Sequence, residues 1–361
     1  MAYPFRVLGI LIASIIWSQY LFGQGETARK YSNEFLNIGV DARSMAMGNS
    51  VIASTEGVYA GYWNPAGLFQ EDLNYDFALM HAEYFASIAQ YDYLAGSYKM
   101  DERTALGFSL IRFGIDNIQN TLQLRDEDGN IDYDRITRFS AADYAFLLSV
   151  GRKSDKIKGL QYGANAKVIY RSLGRFADAF GFGLDAGLQY HSGNWRFGVV
   201  GRDITTTVNA WTVQTAELES VFEETGNVLP ENGLELTLPK LLIGAGRFFQ
   251  ITENYSLLAE LSAFATFDGQ RNAVVSSGIA SLYPGMGLEL GYRNFVFLRG
   301  GVGNFQNETD FDLSTYTTYQ PSLGIGFLYK GIRVDYAFSD IGNQSGALYS
   351  HIFSLRLSFR S

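Results

Sequence analysis

The chain has 361 residues, a formal net charge of −9, 15% aromatic residues, 39 glycines, 6 prolines and no cysteine. The acidic balance argues against nucleic acid as a partner, because nucleic-acid binders carry a basic footprint. The missing cysteine excludes disulfides, thiol catalysis, cysteine-held metals and an acyl anchor on cysteine.

At the N-terminus, Arg6 precedes an apolar run from Val7 to Trp17, and polar sequence begins near Gln24. A positive start, a short apolar core and small residues near Gly23 predict a secretory signal peptide over residues 1–24. Beyond it, no apolar run reaches the roughly 18 residues that a spanning helix needs. The aromatic content is spread over short segments instead, as in outer-membrane barrels.

Residues 25–72 are predicted to form a periplasmic N-terminal segment and a hatch, with Phe35, Leu36 and Ile38 available for packing. The stretches 41–48, 51–60 and 62–68 are rich in small residues and contain the rigid Asn64-Pro65 turn. They lack the alternation of the later chain. A plug ahead of a barrel suits them, and an ordinary N-terminal cap is the other reading the residues leave open.

Residues 73–361 alternate. Leu160, Tyr162, Ala164, Ala166, Val168 and Tyr170 share one face, against Gln161, Gly163, Asn165, Lys167 and Arg171 on the other. At the end of the chain, Phe353, Leu355, Leu357 and Phe359 stand opposite Ser354, Arg356 and Ser358. Period-two patterning of this kind predicts strands with one apolar and one polar face. About fourteen such segments occur, at 73–82, 88–100, 103–115, 139–152, 158–172, 178–191, 193–205, 237–249, 254–267, 283–293, 294–303, 319–329, 331–340 and 347–360.

Short turns alternate with longer connections at 116–138, 206–236, 268–282 and 304–318, which matches periplasmic turns and external loops. The fold class predicted is therefore all-β: a transmembrane antiparallel barrel of about 14 strands with an N-terminal hatch and both termini periplasmic. Apolar faces would meet lipid. Lys167, Arg171, Asp185, Glu260, Arg333, Asp335 and Arg356 would point inward, pairing with one another or with the hatch. The loop 206–236 carries Glu217, Glu219, Glu223, Glu224, Glu231 and Glu235 and no basic residue, and reads as solvated rather than as a partner surface.

No enzyme is predicted, and no cofactor or metal. His81, His191 and His351 lie far apart without metal-ligand spacing. Gly244/Gly246 and Gly324/Gly326 read as strand glycines rather than a phosphate cradle. Asp126-Glu-Asp-Gly129 lacks the twelve-residue calcium pattern and reads as a turn.

At Ala42-Arg-Ser-Met-Ala-Met-Gly48 and Asn64-Pro-Ala-Gly-Leu68 the chain resembles the FadL-like outer-membrane superfamily. With Arg333-Val-Asp-Tyr-Ala-Phe-Ser-Asp340 and His351-Ile-Phe-Ser-Leu355 it looks more closely like the PorV/PorQ family of Bacteroidota. That resemblance implies an outer-membrane component of the type IX secretion system. Its partners would be membrane lipid, the translocon and attachment-complex proteins, and the C-terminal domains of secreted cargo. Arg43, Gly48, Asn64, Pro65 and Gly67 would form the structural heart of the hatch. The alternative is a FadL-type transporter of hydrophobic small molecules. It requires inward apolar residues near the hatch and a kinked or interrupted strand.

Overall fold

The computed structural model describes residues 31–84, 87–125, 129–215, 218–339 and 349–360. The predicted signal peptide, Glu217, Asp126 to Asp128 of the acidic turn and Asp340 lie outside them. The strands begin with β1 Leu73–Tyr84, β2 Ala89–Lys99, β3 Thr104–Asn120, β4 Thr137–Lys153, β5 Leu160–Leu173, β6 Ala177–Ser192 and β7 Trp195–Arg202. They continue with β8 Thr207–Val213, β9 Gly233–Thr237, β10 Lys240–Gln250, β11 Tyr255–Thr266 and β12 Val275–Ser276. The last five are β13 Ser281–Tyr292, β14 Val296–Thr309, β15 Thr315–Tyr329, β16 Ile332–Ser339 and β17 Ser350–Arg360.

Fourteen of these strands close an antiparallel barrel, because β7 pairs with β10, β11 pairs with β13 and β1 pairs with both β2 and β17. Each of the fourteen predicted segments falls on one of these staves. Local chemistry explains the tight end. At β13–β14 both Arg293 and Asn294 are left-handed, and at β15–β16 so are Lys330 and Gly331. Two successive left-handed residues make a turn whose twist matches that of the flanking strands.

The connections at the other end are more structured than loop patterning predicts. Strands β14 and β15 extend into the expected loop 304–318 as a paired hairpin after a bulge between Gly303 and Gln306. The stretch 206–236 folds as β8 and β9, with β8 pairing onto the upper part of β6, around a short helix α3 at Glu219–Thr225. Glu235 therefore departs from the solvated reading. It is buried, accepting from Ser32 Oγ at 2.5 Å and from Trp211 Nε1 at 2.8 Å.

The two faces of each stave separate as the alternation requires. Outward Leu79, Phe182 and Leu261 are 52%, 54% and 60% exposed, whereas inward Asp76, Asp185 and Glu260 are buried. An exposed apolar belt of this kind on a closed barrel is a lipid-facing surface. Near the turn end it is bordered by aromatic rings, with Tyr75 stacked on Tyr98, Trp195 on Phe197, and Tyr255 against Tyr292. Ring belts settle at the membrane–water boundary, where an apolar body and a polar edge are both accommodated.

Residues 31–72 lie inside the barrel. Helix α1 (Ala42–Ala46) follows a 3-10 turn at Glu34–Asn37, and a second 3-10 turn at Gly57–Tyr59 leads into α2 (Ala60–Trp63). Phe35, Leu36, Val40, Met45, Tyr62 and Trp63 are buried against inward-facing Met80, Tyr91, Ile111, Ile169, Leu242 and Ile352. Those inward apolar side chains are a departure from the polar, glycine-rich lumen expected from the strand patterns. Burial of each large apolar side chain contributes on the order of 1.5–3 kcal/mol, so this contact holds the inner segment in place.

Candidate functional site: a cavity behind an interrupted wall

The five residues singled out in the inner segment fall in two groups on opposite sides of the lumen. On the β13–β16 side, the Arg43 guanidinium donates to both Glu289 oxygens, at 2.8 and 3.2 Å. Arg299 and Arg333 converge on the same carboxylate at 2.6 and 3.3 Å, and Asp335 lies 2.8 Å from Arg299 and 3.2 Å from Arg333. Each member of the network therefore lies within 3.3 Å of an opposite charge, which a buried charge requires.

Asp41 caps α1, accepting from the Arg43 amide at 3.1 Å and from Ser44 and Ser354 hydroxyls at 3.0 and 3.1 Å. Burial, reinforced by the Asp335 charge, raises the Asp41 carboxyl above its usual range. Burial would depress Arg43, but the Glu289 charge and hydrogen bonds outweigh it and hold the guanidinium firmly protonated. Gly48 completes this group. It is left-handed (φ +60°), and a Cβ there would come within 2.7 Å of the Val302 backbone on β14.

The second group packs under β4–β6. Asn64 is fully buried and caps a 3-10 turn at Pro65–Leu68, accepting from the Ala66 amide at 3.2 Å. Its amide donates to the Ile52 and Leu188 carbonyls at 3.0 and 3.1 Å, tying the inner segment to β6. Pro65 sits against Gly163, and a side chain at Gly67 would overlap the Thr55 carbonyl. The inner segment and the wall thus approach backbone to backbone on this side.

Between these groups and the loop end lies a cavity of about 430 Å³. Ile38, Met45, Trp63, Phe113, Leu242 and Phe264 give it an apolar lining, and Asn37, Asn49, Gln320 and Ser339 a polar margin. Three cations border it. Arg202 donates to the Leu36 and Tyr62 carbonyls at 3.2 and 3.0 Å and stacks on the Tyr62 ring. Arg271 pairs with Glu34 at 3.0 Å and with Asp268, while the Lys240 ammonium lies 3.9 Å from Glu34. Burial raises the Asp268 carboxyl, but Arg271 outweighs that and holds it below the usual range.

The cavity reaches the wall where the ladder between β13 and β14 stops. Pairing runs from Tyr292↔Val296 to Met286↔Val302 and, among the described residues, goes no further. Beyond it, Ser281 and Leu282 pair with β12, and Gln306 bridges to Ala273. Between, Tyr283 to Gly285 and Gly303 to Asn304 line the cavity without pairing with each other, while β13 still pairs with β11 and Gly303 with β15. Two residues explain the break. Pro284 has no N–H to offer a neighbour, and Asn304 is left-handed (φ 51°) at the β14 bulge. Gly48, Asn49 and Ser50 of the inner segment line the same cavity.

Sequence patterning missed every wall residue of this cavity. The signals available were Pro284 inside an otherwise regular strand and the Gly303-Asn304 pair, both of which mark broken ladders.

No protein-family model and no curated protein matches the chain. Among solved structures it is similar to the CymD monoaromatic hydrocarbon channel, with a TM-score of 0.55 and 14% identity, over 90% of this chain and 98% of that one. It is also similar to the Ralstonia pickettii toluene transporter TbuX, with a TM-score of 0.53 and 16% identity, over 89% of this chain and 99% of that one. Neither likeness reaches the PorV/PorQ family, which leaves that part of the resemblance on the sequence motifs alone. At such identities the likeness concerns architecture alone, and the architecture is a closed antiparallel barrel of fourteen strands.

Proposed function

We propose that the protein is an outer-membrane channel for hydrophobic small molecules. The observation that carries this is the apolar-lined cavity of about 430 Å³ that ends at an interruption of the barrel wall. Both features required of a transporter, inward apolar residues beside the inner segment and a broken strand pairing, are present together. A ligand would enter from the loop end and rest against Leu242 and Phe264. It would then leave sideways into the membrane past Gly285 and Gly303, which spares it passage through the packed inner segment. CymD, a monoaromatic hydrocarbon channel, and TbuX, a toluene transporter, support the same substrate class.

Uptake of radiolabelled toluene by cells making the protein tests this. Leu242→Trp fills the cavity from an inward position, and it should cut uptake about fivefold or more while the barrel still folds, since overpacking at one position costs about 1–3 kcal/mol. Equal uptake by the variant and the parent sinks the reading. The role implied by the PorV/PorQ resemblance, binding the type IX translocon or cargo C-terminal domains, is a second proposal resting on those motifs. Its test is recovery of a large translocon barrel with the tagged protein from native outer membranes.

A further inference from the structure

The lipid-facing surface is not equally tall around the barrel. On most staves the outward face stays uncharged for about ten residues above the turn-end rings. On β6 it runs from Tyr190 to Phe180, on β11 from Tyr255 to Ala265 and on β13 from Tyr292 to Leu282. A strand rises about 3.3 Å per residue and is tilted about 40°, so ten residues cover roughly the 25 Å of a hydrocarbon belt.

On β1, β2 and β3 the belt ends early. His81 stands six residues above Tyr75, and its register partner Asp92 stands six above Tyr98. Arg112 is the next partner in the same row and is followed on the outward face by Asp116. All are partly exposed on the outer surface, with side-chain exposures of 52% for His81, 42% for Asp92 and 29% for Arg112. They pair with one another, His81 Nδ1 to Asp92 at 2.7 Å and Arg112 to Asp92 and Asp116 at 3.4 and 3.5 Å. Six residues correspond to about 15 Å of height. The cluster is therefore roughly 10 Å below the upper edge of the belt on the opposite wall.

We propose that hydrated lipid headgroups reach down to this cluster, so that the bilayer is thinned along the β1–β3 wall. The argument is one of mismatch. Charged side chains on the lipid face of a barrel are most costly at the midplane and cost almost nothing at the interface. Drawing the interface down costs far less per ångström than holding several such charges in hydrocarbon. Leu79, Leu94 and Leu110 below the cluster, with Phe353 beside His81, line a shallow apolar groove on the outer wall, which suits the acyl chains of the lowered lipids.

The absence of native cysteine allows a direct test in liposomes of phosphatidylethanolamine and phosphatidylglycerol. Single variants His81→Cys and Gln90→Cys, the second leaving the paired cluster intact, are compared with Leu261→Cys and Phe182→Cys at matching heights on other staves. A charged, membrane-impermeant maleimide should label the first pair at least about tenfold faster, as expected if water and headgroups reach that depth. Equal protection of all four in liposomes overturns the proposal. Fast labelling in liposomes with protection of the first pair in native membranes also overturns it, in favour of a protein covering this wall. Fast labelling of the first pair in both settings supports it.

Discussion

At the scale of single residues, the interior is organised by charges whose partners come from distant parts of the chain. Arg356 is the clearest case. Its guanidinium contacts both oxygens of Asp76 at 2.7–3.0 Å, and Asp76 also accepts from the Val58 amide at 2.9 Å and Ser358 Oγ at 2.8 Å. One carboxylate thus joins the first stave, the last stave and the inner segment. Arg356→Met should leave Asp76 buried without its countercharge, at a cost of about 3–5 kcal/mol. The measurement is the temperature at which the folded gel species is lost, and Arg356→Lys should recover only part of the deficit, because an ammonium cannot match the two-pronged contact. The sequence shows Arg356 on the inward face of its strand, and the structure places Asp76 on the inward face of β1. The sequence does not show that they meet, since 280 residues separate them.

At the scale of elements, the inner segment is held by a turn, a helix and close backbone packing rather than by regular structure of any length. The Asn64 cap contributes about 1 kcal/mol on its own, and its removal also takes the side-chain amide from the Leu188 carbonyl of β6 and leaves the Ile52 carbonyl with the Gln189 amide. Asn64→Ala combined with Pro65→Ala should therefore loosen the segment on the β4–β6 side and raise conductance in a planar bilayer. Unchanged conductance would count against residues 31–72 acting as a plug at this point. The Asn-Pro turn was legible because its chemistry is local. The interrupted β13–β14 ladder was not read, although Pro284 marks it, because a proline in a strand signals a break without saying which neighbour is lost.

At the scale of the molecule, the staves close without β8, β9 and α3, because β7 passes directly to β10 in the ladder. That hairpin is an addition to the loop end, attached through β6 and through Asn209 and Glu235, which bond Asn33 and Ser32 of the inner segment. Replacing residues 214–232 by a two-residue turn, with Asn209 and Glu235 retained, should leave the thermal midpoint within about 3 °C of the parent, since a change under 1 kcal/mol moves a large domain by only a few degrees. Loss of the folded species would show that the hairpin belongs to the barrel's own stability. The uneven height of the lipid-facing belt also belongs to this scale, because it emerges only when staves are compared around the closed wall.

Period-two alternation determined the number of staves, their limits to within a few residues and the side of each that faces lipid, because strand geometry couples sequence parity directly to direction. The same parity assigned Lys167, Asp185 and Glu260 to the interior without saying what each would meet there, and it left Glu235 in a solvated loop and Leu242 and Arg202 unread. Whether an inward side chain touches the inner segment, an ion partner or an open cavity depends on how residues from 31 to 350 converge in the lumen. Only the closed barrel decides that, because the contacts lie across the lumen and along the sheet, while the sequence pattern records just the neighbours along one strand.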